Sequence, residues 1–297
     1  MLRQERLDEL ELEGKTMKRT VMTAALAAGL ILAPLACAAS VAAQEAAQSD
    51  PQVKINLGGE AAPQSEARHY AVYEAAITDF NTGGFAALAP HLAGLREALA
   101  AAPATYPAVM QVDGGWVIHS DDFEETMILA QDIGMDFAAS GGRGELKVVA
   151  RPNIYPRIAF LLGSEALERR DFDQAMTFLD QGLALQPLDR LLLNEKLVVL
   201  HAQQRWDDAY ALIKEAMAAE DPLLTAKPAH LQRRLGYTLV ELGRIPEARA
   251  AYEASLVAEP GNQTALQELE FIAGLEAKKP VYGEMQITAP LAPRPAE

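Results

Sequence analysis

The sequence predicts an all-α fold, a solenoid of short helical hairpins with an N-terminal helical region and a cleavable export segment ahead of it. Three observations predict it. Half of the residues are apolar, Ala and Leu are abundant, and only 6% are aromatic, a mixture that suits helix-on-helix packing better than sheets. A motif that opens on a large apolar residue and closes on Ala recurs after residue 156, as Phe172-Asp173-Gln174-Ala175, Trp206-Asp207-Asp208-Ala209 and Ile245-Pro246-Glu247-Ala248. Around the three copies, small residues and prolines fall in a largely shared register. With 297 residues the chain is long enough for one large or two modest domains with a real core.

Residues 1–43 read as a signal segment. Lys18 and Arg19 precede an uncharged run over 21–35, and Val41-Ala42-Ala43 offers a cleavage site before Gln44, with Ala36-Cys37-Ala38 as a second candidate. A membrane-spanning helix needs about 20 apolar residues and Pro34 shortens this run, so membrane contact is expected only transiently, through the signal. Five acidic residues stand within 1–16, ahead of the basic pair, which makes Met17 an alternative start to Met1. Cys37 is the only cysteine, so there is no disulfide framework or zinc-knuckle spacing. Lipid attachment there fits poorly, because Leu35 stands one position too close to it. Periplasmic or secreted localisation follows, with cleavage after Ala43. Residues 44–65 are polar and broken by Pro51, Gly58, Gly59 and Pro63, and read as a linker.

Residues 66–150 are expected to be a helical region of unknown type. Helices are predicted over 66–80, where Tyr70, Tyr73, Ile77 and Phe80 share one face, and over 85–102, with Pro90 in its first turns. The pattern turns irregular around Gly114-Gly115-Trp116, with a short extended segment. Ser120 and Asp121 then cap a helix, with Glu124 completing a capping box. The Gly141-Gly142-Arg143-Gly144 loop and an apolar stretch over 146–150 close the region.

The repeat occupies the next stretch, within 151–276. Ala175 and Ala209 are 34 residues apart and Ala209 and Ala248 are 39 apart, the extra five fitting a loop around 223–227. The second helix of each unit carries Phe172, Leu179 and Leu183, then Trp206, Ile213 and Met217, then Ile245, Tyr252 and Leu256, each set on one face. Close helix approach is served by Gly163, Ala175 and Gly182, by Ala209 and Ala216, and by Gly236, Ala248 and Ser255, with Leu197 the exception. Pro187 and Pro260 end second helices, Pro222 falls one residue late, and Pro246 starts a helix where its missing N–H costs nothing.

This period, with the Leu162-Gly163 and Leu235-Gly236 pairs, resembles the tetratricopeptide repeat family. The resemblance covers 156–262 and implies three hairpin units. Residues 263–276, with Leu266, Leu269, Phe271 and Ile272, resemble the helix that closes such stacks, and the Pro-rich 277–297 read as a disordered tail. The resemblance further implies a concave groove lined by first helices: Arg157, Phe160, Ser164 and Leu167, then Asn194, Val198 and His201, then His230, Arg233, Arg234, Tyr237 and Glu241. The family's clamp for chaperone C-terminal carboxylates requires Lys and Asn where Phe160 and Ser164 stand, although His230 and Arg234 are near basic positions of that clamp.

Chemistry is not expected. The five histidines (His69, His91, His119, His201, His230) form no i, i+4 metal pair, the adjacent His119-Ser120-Asp121 is no triad because neighbouring side chains diverge, and the Gly141 loop lacks phosphate-loop context. No catalytic, cofactor or metal residues are therefore assigned. A net charge of −15 argues against a nucleic-acid surface. The expected function is a non-enzymatic periplasmic interaction module or scaffold that binds a peptide or partner helix. Two alternatives stand beside it: an envelope enzyme with its site in 66–150, tested first at His119, Asp121 and Asp122, and a self-associating structural protein.

Overall fold

The computed structural model describes residues 54–59 and 63–277. The signal segment, Cys37 and the tail beyond 277 lie outside the described residues. The chain divides into two compact units, one ending at Ala226 and one beginning at Lys227.

The first unit contains a feature that the sequence reading did not foresee. A four-stranded sheet is built from β1 (Lys54–Gly59), β2 (Val109–Val112), β3 (Gly115–His119) and β4 (Glu145–Arg151), in the order β1-β4-β3-β2. β1 and β3 run parallel to β4, and β2 pairs antiparallel with β3. Part of the expected linker is thus the edge strand β1, and the region expected to be helical is mixed. The cause is tertiary: each strand is short, and its ladder partner is remote in sequence. The β2–β3 hairpin turns at Asp113-Gly114, where Gly114 adopts φ +82°, the positive φ that such a turn requires. A side chain on Gly115 would stand 2.5 Å from the Lys147 carbonyl oxygen, so glycine lets β3 approach β4. Helix α3 (Phe123–Ala139) is the crossover between β3 and β4. Leu129, Ala130 and Ile133 of α3 bury against Ile118, Leu146 and Val148 of the sheet.

Helices α1 (Gln64–Gly83) and α2 (Leu92–Ala100), with a 3-10 turn at Gly84–Leu88 between them, precede β2. The turn displaces the start of α2 beyond Pro90. Tyr70, Tyr73, Ile77 and Phe80 pack as the helical spacing predicts, on a core that includes Leu95, Ile158 and Leu162. That core is shared with α4 (Ile154–Glu168) and α5 (Phe172–Leu185), the first repeat hairpin. The second hairpin is α6 (Arg190–Ala202) and α7 (Trp206–Ala218), followed by the short α8 (Pro222–Ala226). The five extra residues of the longer repeat thus form a helical turn where a loop was expected. Asp221 nucleates it, its Oδ1 accepting from the N–H groups of Leu223 and Leu224 at 2.9 and 3.0 Å.

The second unit holds α9 (Ala229–Glu241), α10 (Ile245–Ala258) and α11 (Gln263–Glu276). Asn262 caps α11 through the Ala265 N–H. Ala265 and Ile272 are the buried residues of α11, whereas Leu266 of the expected apolar stripe is exposed. From 154 to 276 every strand-like alternative is absent among the described residues, and the all-α reading holds there.

The small residues stand where helices touch. A Cβ on Gly163 would fall 2.8 Å from the Leu179 side chain, one on Gly182 2.7 Å from Leu192, and one on Gly236 2.6 Å from the Tyr252 ring. Ala175, Ala209, Ala248 and Ser255 are fully buried, as are Leu179 and Ile213, the middle members of two second-helix stripes; Tyr252, the third, is 2% exposed. Burial of Leu179 or Ile213 contributes about 1.5–3 kcal/mol relative to exposure.

Candidate functional site

The first-helix residues divide by burial. On α4, Ser164 is buried and donates to Glu195 Oε1 of α6 at 2.5 Å, while Phe160 and Leu167 are partly buried against the first-unit core. On α6, Asn194 and His201 are buried and Val198 is partly buried; the His201 ring lies 5.6 Å from that of Trp206. In the second unit, Arg234 and Tyr237 of α9 are buried, and His230, Arg233 and Glu241 are partly buried. Arg233 donates to Glu259 Oε2 at 2.6 Å.

Arg157 departs furthest from a groove side chain. It is buried among three carboxylates, donating from Nε to Asp121 Oδ2 at 3.1 Å and from Nη1 to Asp189 Oδ2 at 3.0 Å, with Glu125 Oε2 3.9 Å from Nη2. Burial opposes its charge, but Asp189, Asp121 and Glu125 outweigh burial and raise its pKa above the ordinary guanidinium value. Arg190 completes the network, donating to Glu125 Oε1 at 2.7 Å. Asn153 and Gln186 exchange two side-chain hydrogen bonds at 3.0 and 2.9 Å, and Gln186 also donates to the Tyr106 carbonyl. The cluster joins the ends of β3 and β4 to the loop between α5 and α6.

The expected cap of α3 shifts for this reason. Asp121 is drawn to Arg157 and to the Asn153 N–H. Asp122 takes the N-cap in its place, accepting from the Glu125 N–H at 2.8 Å.

His119 lies beside the cluster, 3% exposed. Its ring stacks on Tyr106 with centroids 4.0 Å apart, and its Nδ1 stands 2.8 Å from the Pro107 carbonyl oxygen. Because a carbonyl only accepts, Nδ1 carries a proton. Burial lowers the His119 pKa, against the opposing Pro107 bond, leaving Nε2 as an acceptor. His119, Asn153, Arg157 and the 186–191 loop line a cavity of about 240 Å³.

The turns between paired helices share one geometry. Arg170, Gln204 and Gly243 occupy equivalent places and all adopt left-handed backbone, φ 60°, 58° and 74°. Each donates its N–H to the carbonyl three residues back (Leu167, His201, Val240). The next residue donates to the carbonyl five back (Ala166, Leu200, Leu239). Three hairpins thus close through one geometry, with Ala175, Ala209 and Ala248 buried at equivalent places.

In period and fold, these hairpins are similar to tetratricopeptide repeats.

No protein-family model matches the chain. The Protein STIP1 homolog of Dictyostelium discoideum is 26% identical over 105 residues, which span 35% of this chain and 19% of that protein, so the match covers about a fifth of the relative's length. Among solved structures, pilF of Pseudomonas aeruginosa aligns with a TM-score of 0.48 and 14% identity, over 73% of this chain and 72% of that one. The first TPR of Spaghetti (RPAP3) bound to the HSP90 peptide SRMEEVD aligns with a TM-score of 0.37 and 21% identity, over 41% and 93%. The Arabidopsis OM64 TPR domain aligns at 0.35 and 20%, over 39% and 93%.

The sequence places the first helices of the hairpins but does not reveal what surrounds Arg157. Asp121 has a local explanation as a helix cap, and nothing local joins it to Glu125 and Asp189. Among the described residues no group of three or more His, Cys, Asp or Glu is arranged to hold a metal ion. No described helix is long and apolar enough to cross a membrane.

Proposed function

We propose that this chain is a non-enzymatic protein-interaction module that reads a peptide or partner helix with the first-helix faces of its tetratricopeptide repeats. One observation carries the reading: buried polar side chains of the repeats concentrate on first helices. Apart from Arg157, which the carboxylate cluster holds, they are Ser164 and Glu165 on α4, Asn194, Glu195 and His201 on α6, and Arg234 and Thr238 on α9, whereas Ser255 is the one on a second helix. A scaffold that needed only to stack would fill those positions with apolar residues, because a buried polar group must be matched by a partner. Polar groups on one side of each hairpin suit recognition of a peptide's polar backbone. The partly buried Val198 and His230 supply accessible edges to these faces in the first and second unit.

We further propose that the module works outside the cytoplasm, after cleavage following Ala43, as the 18–43 pattern suggests. As an enzyme centre the His119 region has little support: Asp121 is bound to Arg157, Asp122 caps α3, and the Nδ1 of His119 meets a carbonyl where an orienting carboxylate would be needed.

The test uses two surface variants. Peptide-array screening of periplasmic sequences followed by titration is expected to give a ligand whose affinity falls about tenfold in Val198→Glu or His230→Glu, with unchanged melting temperature. A ligand held equally by wild type and both variants would remove the first-helix faces from the reading.

A further inference from the structure

We propose that the cavity at the carboxyl ends of β3 and β4 is a binding site for a primary ammonium group carried on a short apolar stem. This goes beyond the peptide-reading faces and lies within the first unit alone. The site sits where ligands bind in open parallel sheets, outside the carboxyl ends of the strands. Leu129, Leu191 and Leu223 give it apolar wall beside its polar and charged lining.

Its polar inventory selects the ligand. His119, 3% exposed, has its Nδ1 committed to the Pro107 carbonyl, and its Nε2 is buried with no hydrogen-bond partner among the described residues. A buried acceptor left in this state is costly unless a donor reaches it. Three lining carboxylates, Glu125, Asp189 and Asp221, face two lining guanidiniums, Arg157 and Arg190. Both guanidiniums are already engaged, Arg157 with Asp121 and Asp189 and Arg190 with Glu125. Asp221 bonds only to backbone N–H groups of its own helix among the described residues. The cavity thus presents acceptors and excess negative charge beside an apolar wall. An anion would meet repulsion there, and a purely apolar guest would leave Nε2 unmatched. An alkylammonium meets all three demands, since it supplies three donors, one positive charge and an apolar stem. A free amine and a lysine side chain of a partner share this chemistry.

The experiment titrates the full chain, with 15N-labelled histidine, with n-pentylamine, 1-pentanol, pentanoate and Nα-acetyl-lysine methylamide. The expected result is a saturable shift of the His119 Nε2 resonance with n-pentylamine and none with pentanoate or 1-pentanol. A matching response to the lysine derivative assigns the source to a protein side chain, and its absence assigns it to a free amine. Asp221→Asn keeps the helix cap and removes the charge, so it should weaken amine binding about tenfold. Val198→Glu should leave it unchanged, which separates this site from the peptide-reading faces. No saturable shift with either amine, an equal response to 1-pentanol, or full affinity in Asp221→Asn overturns the proposal.

Discussion

At the scale of single residues, buried charge is accepted where it is matched and avoided where it is not. Arg157 keeps its proton because three carboxylates converge on it. His119 gives its proton up because burial outweighs the Pro107 bond. The difference has a consequence for stability. The unfolded ring takes a proton near 6.5, whereas the native ring resists until a lower pH. The contribution of neutral His119 is therefore complete above about 6.5 and lost as pH falls below it, until the native ring protonates in turn. Each unit of depression corresponds to about 1.4 kcal/mol. Urea unfolding of the wild type between pH 7.5 and 5 should lose stability more steeply than His119→Phe, whose ring can keep the stacking on Tyr106 without titrating. Burial lifts the Glu66 and Asp132 carboxyls, but both proteins share them, so their effect cancels in the comparison. Parallel pH profiles for the two proteins would refute this account of His119.

At the scale of elements, the three hairpin turns form an internal series. Gly243 adopts left-handed backbone without strain, whereas Arg170 and Gln204 hold it with a Cβ. Left-handed backbone costs an L residue about 1–2 kcal/mol. Gln204→Gly should therefore raise stability by up to about 1 kcal/mol, after the entropy that glycine adds to the unfolded chain, and Gly243→Ala should lower it by about 1–2 kcal/mol. Thermal melts of the two variants, expected to move in opposite directions, check the common geometry. These hairpins were legible because their determinants are local: Gly163, Gly236, Ala175 and Ala209 recur at fixed offsets and each serves one contact. The sheet was less legible, although signals existed. Asp113-Gly114 between Val112 and Gly115 is a strong hairpin signature, and Lys54-Ile55-Asn56-Leu57 alternates as a strand does. Both runs are short, and β1 finds its partner β4 only across the intervening α1, α2 and α3. The Arg157 cluster was illegible for the same reason, since Asp121 and Asp189 lie 36 and 32 positions from it and no period connects them.

At the scale of the whole chain, the depth of burial differs between the two units. Among the described residues, Tyr252 and Ile272 are the large side chains buried to 2% exposure or less in α10 and α11, while Ile154, Ile158, Leu162, Leu179, Leu192 and Leu200 cluster in α4 to α6. Repeat proteins draw their stability from each hairpin and its immediate neighbours, so a hairpin with fewer large anchors opens at lower free energy. Opening free energies of local segments range from near zero to the global value and follow contiguous cooperative units. Native-state hydrogen exchange should accordingly resolve two classes: slow amides in α4, α5 and α6, and a faster class shared by α9, α10 and α11. Replacing the second unit's largest anchor, Tyr252→Leu, removes the ring that rests on Gly236 and should accelerate exchange throughout α9–α11. The amides of α4 and α5 should keep their wild-type rates. Equal protection in both classes, or acceleration spreading to α4, would mean that the two units unfold as one.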